Sequence, residues 1–269
     1  MMLNSKSVLF ITLDSCRYDT FRSVKPFNIG KIGPLVKAMS PSYFTYGSHA
    51  AMFMGFLPSI KKQKSFINSK YSKLFRLAHA GFPGKEKDGF ILEGHSIING
   101  FQRIGYRCIG SGAVGWFNPS TETGAVLGKD FESFFFPGEA WELRRQLKWI
   151  DDQIHRKPET NQPLFIFLNI GETHVPYWHE GALWDRDDNP CIPFQKQSRR
   201  RDCVIRQRAC LAYVDKLLAP LLKAFEQATV VVTADHGDCW GEDGLWEHGV
   251  SHPKTLEVPL LMKYQGVAV

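Results

Sequence analysis

The sequence predicts an α/β protein, a three-layer α/β/α sandwich around a mostly parallel central sheet. Three short, continuous apolar segments carry this prediction, at residues 8–13, 163–170 and 229–234. Strands covered on both faces of a parallel sheet lose the alternation that half-buried strands show. Stretches with helical patterns separate these segments, and strands that alternate with helices are typical of such a sheet.

The other elements follow from local patterns. The compact apolar segment 48–56 predicts a helix that ends before Leu57-Pro58. Further helices are predicted at 94–104, 139–155 and 202–225, and a short fourth strand at 258–263. Segments 110–137 and 178–201 resemble loops. Because no repeat and no linker rich in Pro, Gly or Ser divides the chain, we predict a single domain over residues 1–269.

Composition narrows the class of protein. A hydrophobic fraction of 43% and a charged fraction of 22% are ordinary for a globular chain. The formal charge of +6 is concentrated in a basic stretch: Lys196, Arg199, Arg200, Arg201, Arg206 and Arg208. Such a stretch can attract an anionic ligand or a membrane surface, although most are solvated surface. No groove-reading motif accompanies it, so nucleic acid is not an expected partner.

The cysteines and the apolar segments predict where in the cell the protein is located. Six scattered cysteines without a C-x-x-C pair indicate reduced, packed thiols. The apolar run at 8–13 is too short for a signal peptide, and no stretch approaches the roughly 20 apolar residues that a membrane span requires. We therefore expect no membrane span and a cytoplasmic location.

Acidic and imidazole side chains follow three predicted strands: Asp14, Glu172 with His174, and Asp235 with His236. Carboxyl ends of parallel strands meet at one edge of a sheet, where ligands bind. Two Asp and one His form a ligand set that suits zinc or manganese and tolerates magnesium or calcium. Taken singly, each residue is also explained by a turn-capping Asp or a surface His.

A hydroxyl group precedes the predicted helix at 48–56. Thr45 there would lie near a helix N-terminus, which favours anions, and metal coordination would make its hydroxyl a nucleophile. The alternative is that Thr45 or Ser48 simply caps the helix, because Ser and Thr are favoured at that position.

Four strings resemble the alkaline phosphatase superfamily, in its sulfatase-like branch with the phosphoethanolamine transferases. They are I-T-L-D-S-C-R-Y-D (11–19), T-Y-G-S-H-A-A-M-F-M-G-F-L-P (45–58), F-I-F-L-N-I-G-E-T-H-V-P-Y (165–177) and T-A-D-H-G-D-C-W-G-E-D-G-L-W-E-H-G (233–249). The resemblance implies an alkaline phosphatase-like fold and one or two divalent metal ions. It implies that the main metal is held by Asp14, Thr45, Asp235 and His236, with Thr45 as nucleophile.

The same resemblance implies roles for His174 and His248. They match positions that bind the phosphoryl or sulfuryl oxygens or that help to hold a second metal. Glu172 and His252 are further candidates for a second metal or the substrate, from ligand chemistry alone. The resemblance gives Arg17 and Asp19 a structural role as a local ion pair, and His49 and Glu242 an architectural one.

Two departures from the family pattern shape the expected function. Sulfatases form their nucleophile from Cys or Ser, and Thr45 cannot form formylglycine. The chain ends at Val269, so we expect a short form without the C-terminal subdomain of sulfatases. We therefore predict a hydrolase of small phosphate, phosphodiester or phosphonate esters that uses a phospho-threonine intermediate. The alternatives are a sulfuric ester hydrolase, a phosphoethanolamine-type transferase and a degenerate member that only binds a metal or ligand.

Overall fold

The computed structural model describes residues 3–55, 75–79, 88–92, 95–156, 161–192 and 197–269. Its strands are β1 (Val8–Leu13), β2 (Val36–Met39), β3 (Phe75–His79), β4 (Asp88–Leu92), β5 (Arg107–Gly112), β6 (Ser133–Phe135), β7 (Leu164–Ile170), β8 (Thr229–Thr233), β9 (Cys239–Trp240), β10 (Trp246–Glu247), β11 (Glu257–Tyr264) and β12 (Val267–Ala268). Its α-helices are α1 (Tyr18–Val24), α2 (Thr45–Met54), α3 (Ile97–Arg103), α4 (Glu122–Gly128), α5 (Leu143–His155), α6 (Arg200–Ala224) and α7 (Pro253–Leu256).

The central sheet has the strand order β12-β11-β8-β1-β7-β5-β6, and β2 pairs with β11. Strands β8, β1, β7, β5 and β6 run parallel, whereas β11 is antiparallel to β8. Strands β3 and β4 form a separate antiparallel pair. A mostly parallel sheet with helices on both sides confirms the predicted fold class.

The two faces of the sheet bury different kinds of side chain. Aliphatic residues of β7, at positions 164, 166, 168 and 170, belong to one core with residues of α1, α5 and α6. Phe165 and Phe167 face the other core, which contains residues of α2, α3 and α4. The strand therefore alternates between aliphatic and aromatic side chains although its sequence is apolar throughout, because both of its faces are covered by helices.

The predicted helices and strands lie within a few residues of the observed ones. The helix predicted at 48–56 begins earlier, at Thr45, while Leu57, Pro58 and Gly94 lie outside the described residues. The region 110–137, interpreted as loop-like, contains α4 and β6. These elements have seven and three residues, which is too short to show a clear periodic pattern. Over the part of the chain that is described, no helix is long and apolar enough to cross a membrane.

Arg17 connects the turn after β1 to the segment that follows β8. Its guanidinium lies 2.6 Å from Asp19 and 2.9 Å from Glu242, and it stacks over the Trp240 ring at 3.9 Å from the ring centre. The arginine is 1% exposed. Contacts to both segments show that the predicted ion pair with Asp19 is part of a larger buried network.

Replacing Arg17 with alanine should lower the free energy of unfolding by about 3 kcal/mol, because Glu242 then loses a buried partner. Urea unfolding followed by circular dichroism measures this change. The control is Lys37→Ala, which removes a surface pair with Glu257 and should cost no more than about 0.5 kcal/mol. Equal losses in the two variants would contradict a structural role for Arg17.

Candidate metal centre

Strand register brings two aspartates together. Thr12 of β1 pairs with Thr233 of β8, and Asp14 and Asp235 each follow two residues later. The two carboxylates therefore leave neighbouring parallel strands at the same edge of the sheet. His236 comes next in the chain, and ligand atoms of Asp14, Asp235 and His236 all lie within 4.8 Å of one another. The structure thus groups three of the four residues predicted to bind the main metal.

Thr45 completes this group. The Nε2 atom of His236 lies 3.2 Å from Thr45 Oγ1, 3.7 Å from Asp14 Oδ1 and 3.6 Å from Asp235 Oδ2. Four ligands at about 2.0–2.2 Å from a tetrahedral metal are roughly 3.3–3.6 Å apart. The Nδ1 atom of His236 donates to the Gly237 carbonyl at 3.0 Å, which leaves Nε2 as the ligand atom. These distances fit a divalent cation.

The electrostatics of the two aspartates also fit a cation. Both side chains are fully buried. Asp235 Oδ1 accepts hydrogen bonds from the amides of Ser15 and His236, but Oδ2 has no hydrogen-bond partner within the described residues. Burial raises the pKa of Asp235 to about 7, and burial together with the charge of Asp235 raises the pKa of Asp14. A bound cation would offset both the burial and the repulsion.

The position of Thr45 argues against a simple capping role. Phe44 is the N-cap of α2, and Thr45 is the first helical residue. The Phe44 side chain makes no capping hydrogen bond. Ser48 lies inside the helix and donates to the Ser42 carbonyl at 3.1 Å. The Thr45 hydroxyl lies beside the metal ligands, 3.2 Å from His236 Nε2.

A buried hydrogen-bond network holds Asp14 and the start of α2 in place. Asn169 donates to Thr12 Oγ1 and to Asp14 Oδ2, each at 3.2 Å. His49 Nδ1 donates to the Thr45 carbonyl at 2.8 Å, so its Nε2 accepts from the Thr12 hydroxyl at 2.9 Å. Burial lowers the pKa of His49 to about 3, which keeps the ring neutral. His49 is architectural, as the sequence motif implied.

His174 and His248 lie beside the candidate metal centre. Ring centres of His236 and His248 are 4.5 Å apart, and those of His174 and His248 are 5.2 Å apart. The structure thus brings both histidines next to the group formed by Asp14, Asp235 and His236, and their role toward a substrate stays a prediction.

Asp238 is a site residue that the sequence analysis missed. Its carboxylate pairs with His248 Nδ1 at 2.8 Å, and His236, Asp238 and His248 form a second group of ligand-type atoms. Burial alone lowers the pKa of His248, but the hydrogen bond to Asp238 together with the charges of Asp238, Asp14 and Asp235 outweighs burial and raises that pKa to about 9. The signal was visible in the sequence as a second aspartate directly after D-H-G.

Glu172 and His252, both candidates for a second metal or the substrate, lie outside the two groups. Glu172 accepts from the Leu143 amide at 2.9 Å, at the start of α5, and burial raises its pKa to about 8. His252 accepts from the Lys254 amide at 3.0 Å and pairs with Asp243 at 3.2 Å. Each side chain accepts a hydrogen bond from a backbone amide at a helix N-terminus, while Glu172 Oε2 has no hydrogen-bond partner within the described residues, so a role at a second metal or the substrate stays a prediction.

Several arginines of the basic stretch form ion pairs with nearby carboxylates, which neutralise their charge. Arg199 and Arg206 both pair with Asp188, and Arg200 lies 3.2 Å from Glu242. The contacts with Asp188 join α6 to the loop before it, and the contact with Glu242 joins α6 to the segment after β9. They favour the structural interpretation of these arginines over an anion-binding one, while Lys196 lies outside the described residues.

Gly237 is needed because another part of the chain approaches it closely. A Cβ atom there would overlap the Lys254 carbonyl oxygen and lie 3.2 Å from Arg17 Cγ. The amide of Gly237 also donates to the Thr255 carbonyl at 2.8 Å. Gly237 does not have a positive φ. Close packing, and not an unusual backbone conformation, therefore accounts for this glycine.

Replacing Gly237 with alanine should lower the free energy of unfolding by about 1–3 kcal/mol and weaken metal binding, because His236 must shift. Thermal unfolding and metal titration measure the two effects. The control is Gly100→Ala in α3, where a Cβ meets no atom within 4 Å. That variant should gain about 0.5–1 kcal/mol. A Gly237→Ala protein as stable as wild type would contradict the packing argument.

This fold and this site define the class: an alkaline phosphatase-like α/β protein with a candidate metal centre. The family model for sulfatases matches residues 64–268, and the chain belongs to that family. The predicted membership is thereby confirmed. A comparison with curated proteins finds no match.

Solved structures similar to this chain include the periplasmic domain of EptC from Escherichia coli, with a TM-score of 0.64, 14% identity, and coverage of 97% of this chain and 73% of that one. A zinc complex of that domain has a TM-score of 0.63. The soluble domain of lipooligosaccharide phosphoethanolamine transferase A from Neisseria meningitidis has a TM-score of 0.61 at 14% identity, with coverage of 97% and 76%. This chain spans about half, 49%, of the integral membrane form of that transferase.

A hydrolase is among the similar structures as well. Phosphonate monoester hydrolase of Agrobacterium radiobacter has a TM-score of 0.55 at 13% identity, with coverage of 97% of this chain and 68% of that one. At these identities the likeness establishes the fold. Hydrolases and transferases both occur among the proteins that share it.

Proposed function

We propose that the protein is a metal-dependent hydrolase of phosphate-type esters, in which Thr45 is the nucleophile. One observation carries the proposal: the buried Thr45 hydroxyl lies 3.2 Å from Nε2 of His236, which with Asp14 and Asp235 forms a group whose ligand atoms lie within 4.8 Å of one another. Oδ2 of Asp235, which has no hydrogen-bond partner in the described part of the chain, supports it. Zinc and manganese suit this set of carboxylate, imidazole and hydroxyl ligands.

The proposed reaction has two steps. When bound, the cation lowers the pKa of the Thr45 hydroxyl and stabilises charge on the ester oxygens. Thr45 Oγ1 then attacks phosphorus, the bond to the leaving oxygen breaks, and that oxygen takes a proton and departs as an alcohol. Water attacks the phospho-threonine, which releases phosphate and returns a proton to Thr45. The N-terminus of α2 favours the negative charge throughout.

Transfer to an acceptor alcohol is the second candidate. It shares the first step and differs only in whether water or an alcohol attacks the phospho-threonine. The phosphoethanolamine transferases among the similar structures favour transfer, and the phosphonate monoester hydrolase favours hydrolysis. Hydrolysis of sulfuric esters through formylglycine is not proposed, because residue 45 is threonine.

The direct test measures turnover of four p-nitrophenyl substrates: the phosphate, the bis-ester phosphodiester, the phenylphosphonate and the sulfate. Each is assayed with metal-stripped protein and after addition of zinc or manganese, with and without glycerol as acceptor. We expect metal-dependent turnover of at least one phosphorus ester, and a glyceryl product in the mass spectrum would indicate transfer. Stoichiometric metal without turnover of any ester would favour the non-catalytic alternative, and turnover of the sulfate alone would contradict the proposal.

A further inference from the structure

Asp238 and Asp235 lie three residues apart but differ in how their oxygens are used. Asp235 keeps one buried oxygen without a partner within the described residues. Both oxygens of Asp238 are occupied: Oδ1 pairs with His248 Nδ1 at 2.8 Å, and Oδ2 accepts from the Tyr177 hydroxyl at 2.7 Å. Asp235 therefore has an oxygen that can bind a metal, whereas both oxygens of Asp238 already accept hydrogen bonds.

The partners of Asp238 are themselves fixed. The Tyr177 hydroxyl accepts from Trp240 Nε1 at 2.8 Å, and Arg17 stacks on the Trp240 ring. Asp238 and Tyr177 are fully buried, and Trp240 is 3% exposed. A carboxylate held this way has one orientation, so the imidazole that it binds is oriented as well.

We propose that Asp238 is a positioning residue that holds the His248 ring with Nδ1–H toward its own carboxylate and Nε2 toward the ester. On this proposal, which rests on the proposed function, His236, Asp238 and His248 do not form a second metal site. One divalent cation per chain is then sufficient. His248 contacts the ester oxygens, and Asp238 acts only through His248.

Kinetic measurements test whether Asp238 affects turnover only through His248. We expect Asp238→Ala to lower kcat by roughly 10–100-fold with little change in KM, as for other residues that orient an active-site histidine. Asp238→Asn, which retains an acceptor oxygen, should lose less. The double variant with His248→Gln should be no slower than His248→Gln alone. Losses that multiply in the double variant would overturn the proposal.

Asp243 and His252 provide a matched control. They form a second Asp–His pair in the same part of the chain, and the Asp243 side chain is 84% exposed. Asp243→Asn should leave kcat and KM unchanged. A loss equal to that of Asp238→Ala would show that any aspartate near these histidines matters, and would overturn the specific role.

Two readouts do not depend on turnover. In protein labelled with ¹⁵N-histidine, the His248 Nδ1 proton should exchange slowly with water; its signal should disappear in Asp238→Ala and His248→Gln and persist in Asp243→Asn. Metal analysis of zinc-loaded protein should find one ion per chain in wild type and in Asp238→Ala. Two ions in wild type that fall to one in Asp238→Ala would overturn the proposal. If no ester is turned over, the proposed function fails, while these readouts still test the orientation of His248.

Discussion

Replacing Thr45 with alanine is expected to reduce kcat/KM for the preferred phosphorus ester by a factor on the order of 10⁴ or more, because the nucleophile itself is removed. The buried hydroxyl is 3.2 Å from His236 Nε2, whereas the hydroxyl of Ser15, 3.3 Å from Asp14 Oδ1, does not follow a family motif position for the nucleophile. Initial rates with metal-loaded protein measure the loss. Metal binding should weaken but persist, since Asp14, Asp235 and His236 remain.

Two variants control this experiment. Thr45→Ser keeps the hydroxyl and should retain measurable turnover. Ser48→Ala removes a buried hydroxyl from the same helix, where it contacts Ser40 and the Ser42 carbonyl, and should change turnover only slightly. Wild-type rates in Thr45→Ala would contradict the assignment of the nucleophile.

Replacing Asp235 with asparagine should have opposite effects on stability with and without metal. The amides of Ser15 and His236 can still donate to the remaining carbonyl oxygen, but the charge that repels Asp14 is gone. We expect the metal-free variant to be about 1–3 kcal/mol more stable than metal-free wild type. Wild type should gain about 3 kcal/mol from metal at 100 times its Kd, and the variant much less. Turnover should be lost.

Thermal unfolding with chelator and with zinc or manganese measures both effects. The matched control is Asp215→Asn, because Asp215 is also buried but its carboxylate is fully used by the amides of Asn28 and Ile29. That variant should be less stable with and without metal. A metal-free Asp235→Asn protein less stable than wild type would show that the two carboxylates do not repel each other as the structure indicates.

The sequence alone was sufficient to predict that Asp14 and Asp235 lie close together, because the backbone of the sheet determines their positions. Asp14 and Asp235 directly follow buried strands, and parallel strands end at one edge, so their convergence needed no side-chain information. The family motif supplied Thr45 and His236. The motif also supplied His248, but the hydrogen bonds that join Asp238 to His248 and Tyr177 were not predictable, because they connect side chains of separate segments.

Glu172 shows a second limit. It shares a strand end with His174, two residues away, yet it turns toward the start of α5 while His174 lies beside His248. Spacing along a loop does not determine which way each side chain faces. The length of an element sets a different limit. Helix α1 has seven residues and strand β2 has four, and such short segments carry too little periodic pattern to be recognised in the sequence.

The central claim is that Asp14, Thr45, Asp235 and His236 hold a divalent cation. Plasma mass spectrometry of protein loaded with zinc or manganese and then desalted tests it most directly. The account predicts one ion per chain in wild type and a large loss in Asp235→Asn, with Asp215→Asn unchanged. Wild-type protein that retains no stoichiometric ion under any loading condition would contradict the account.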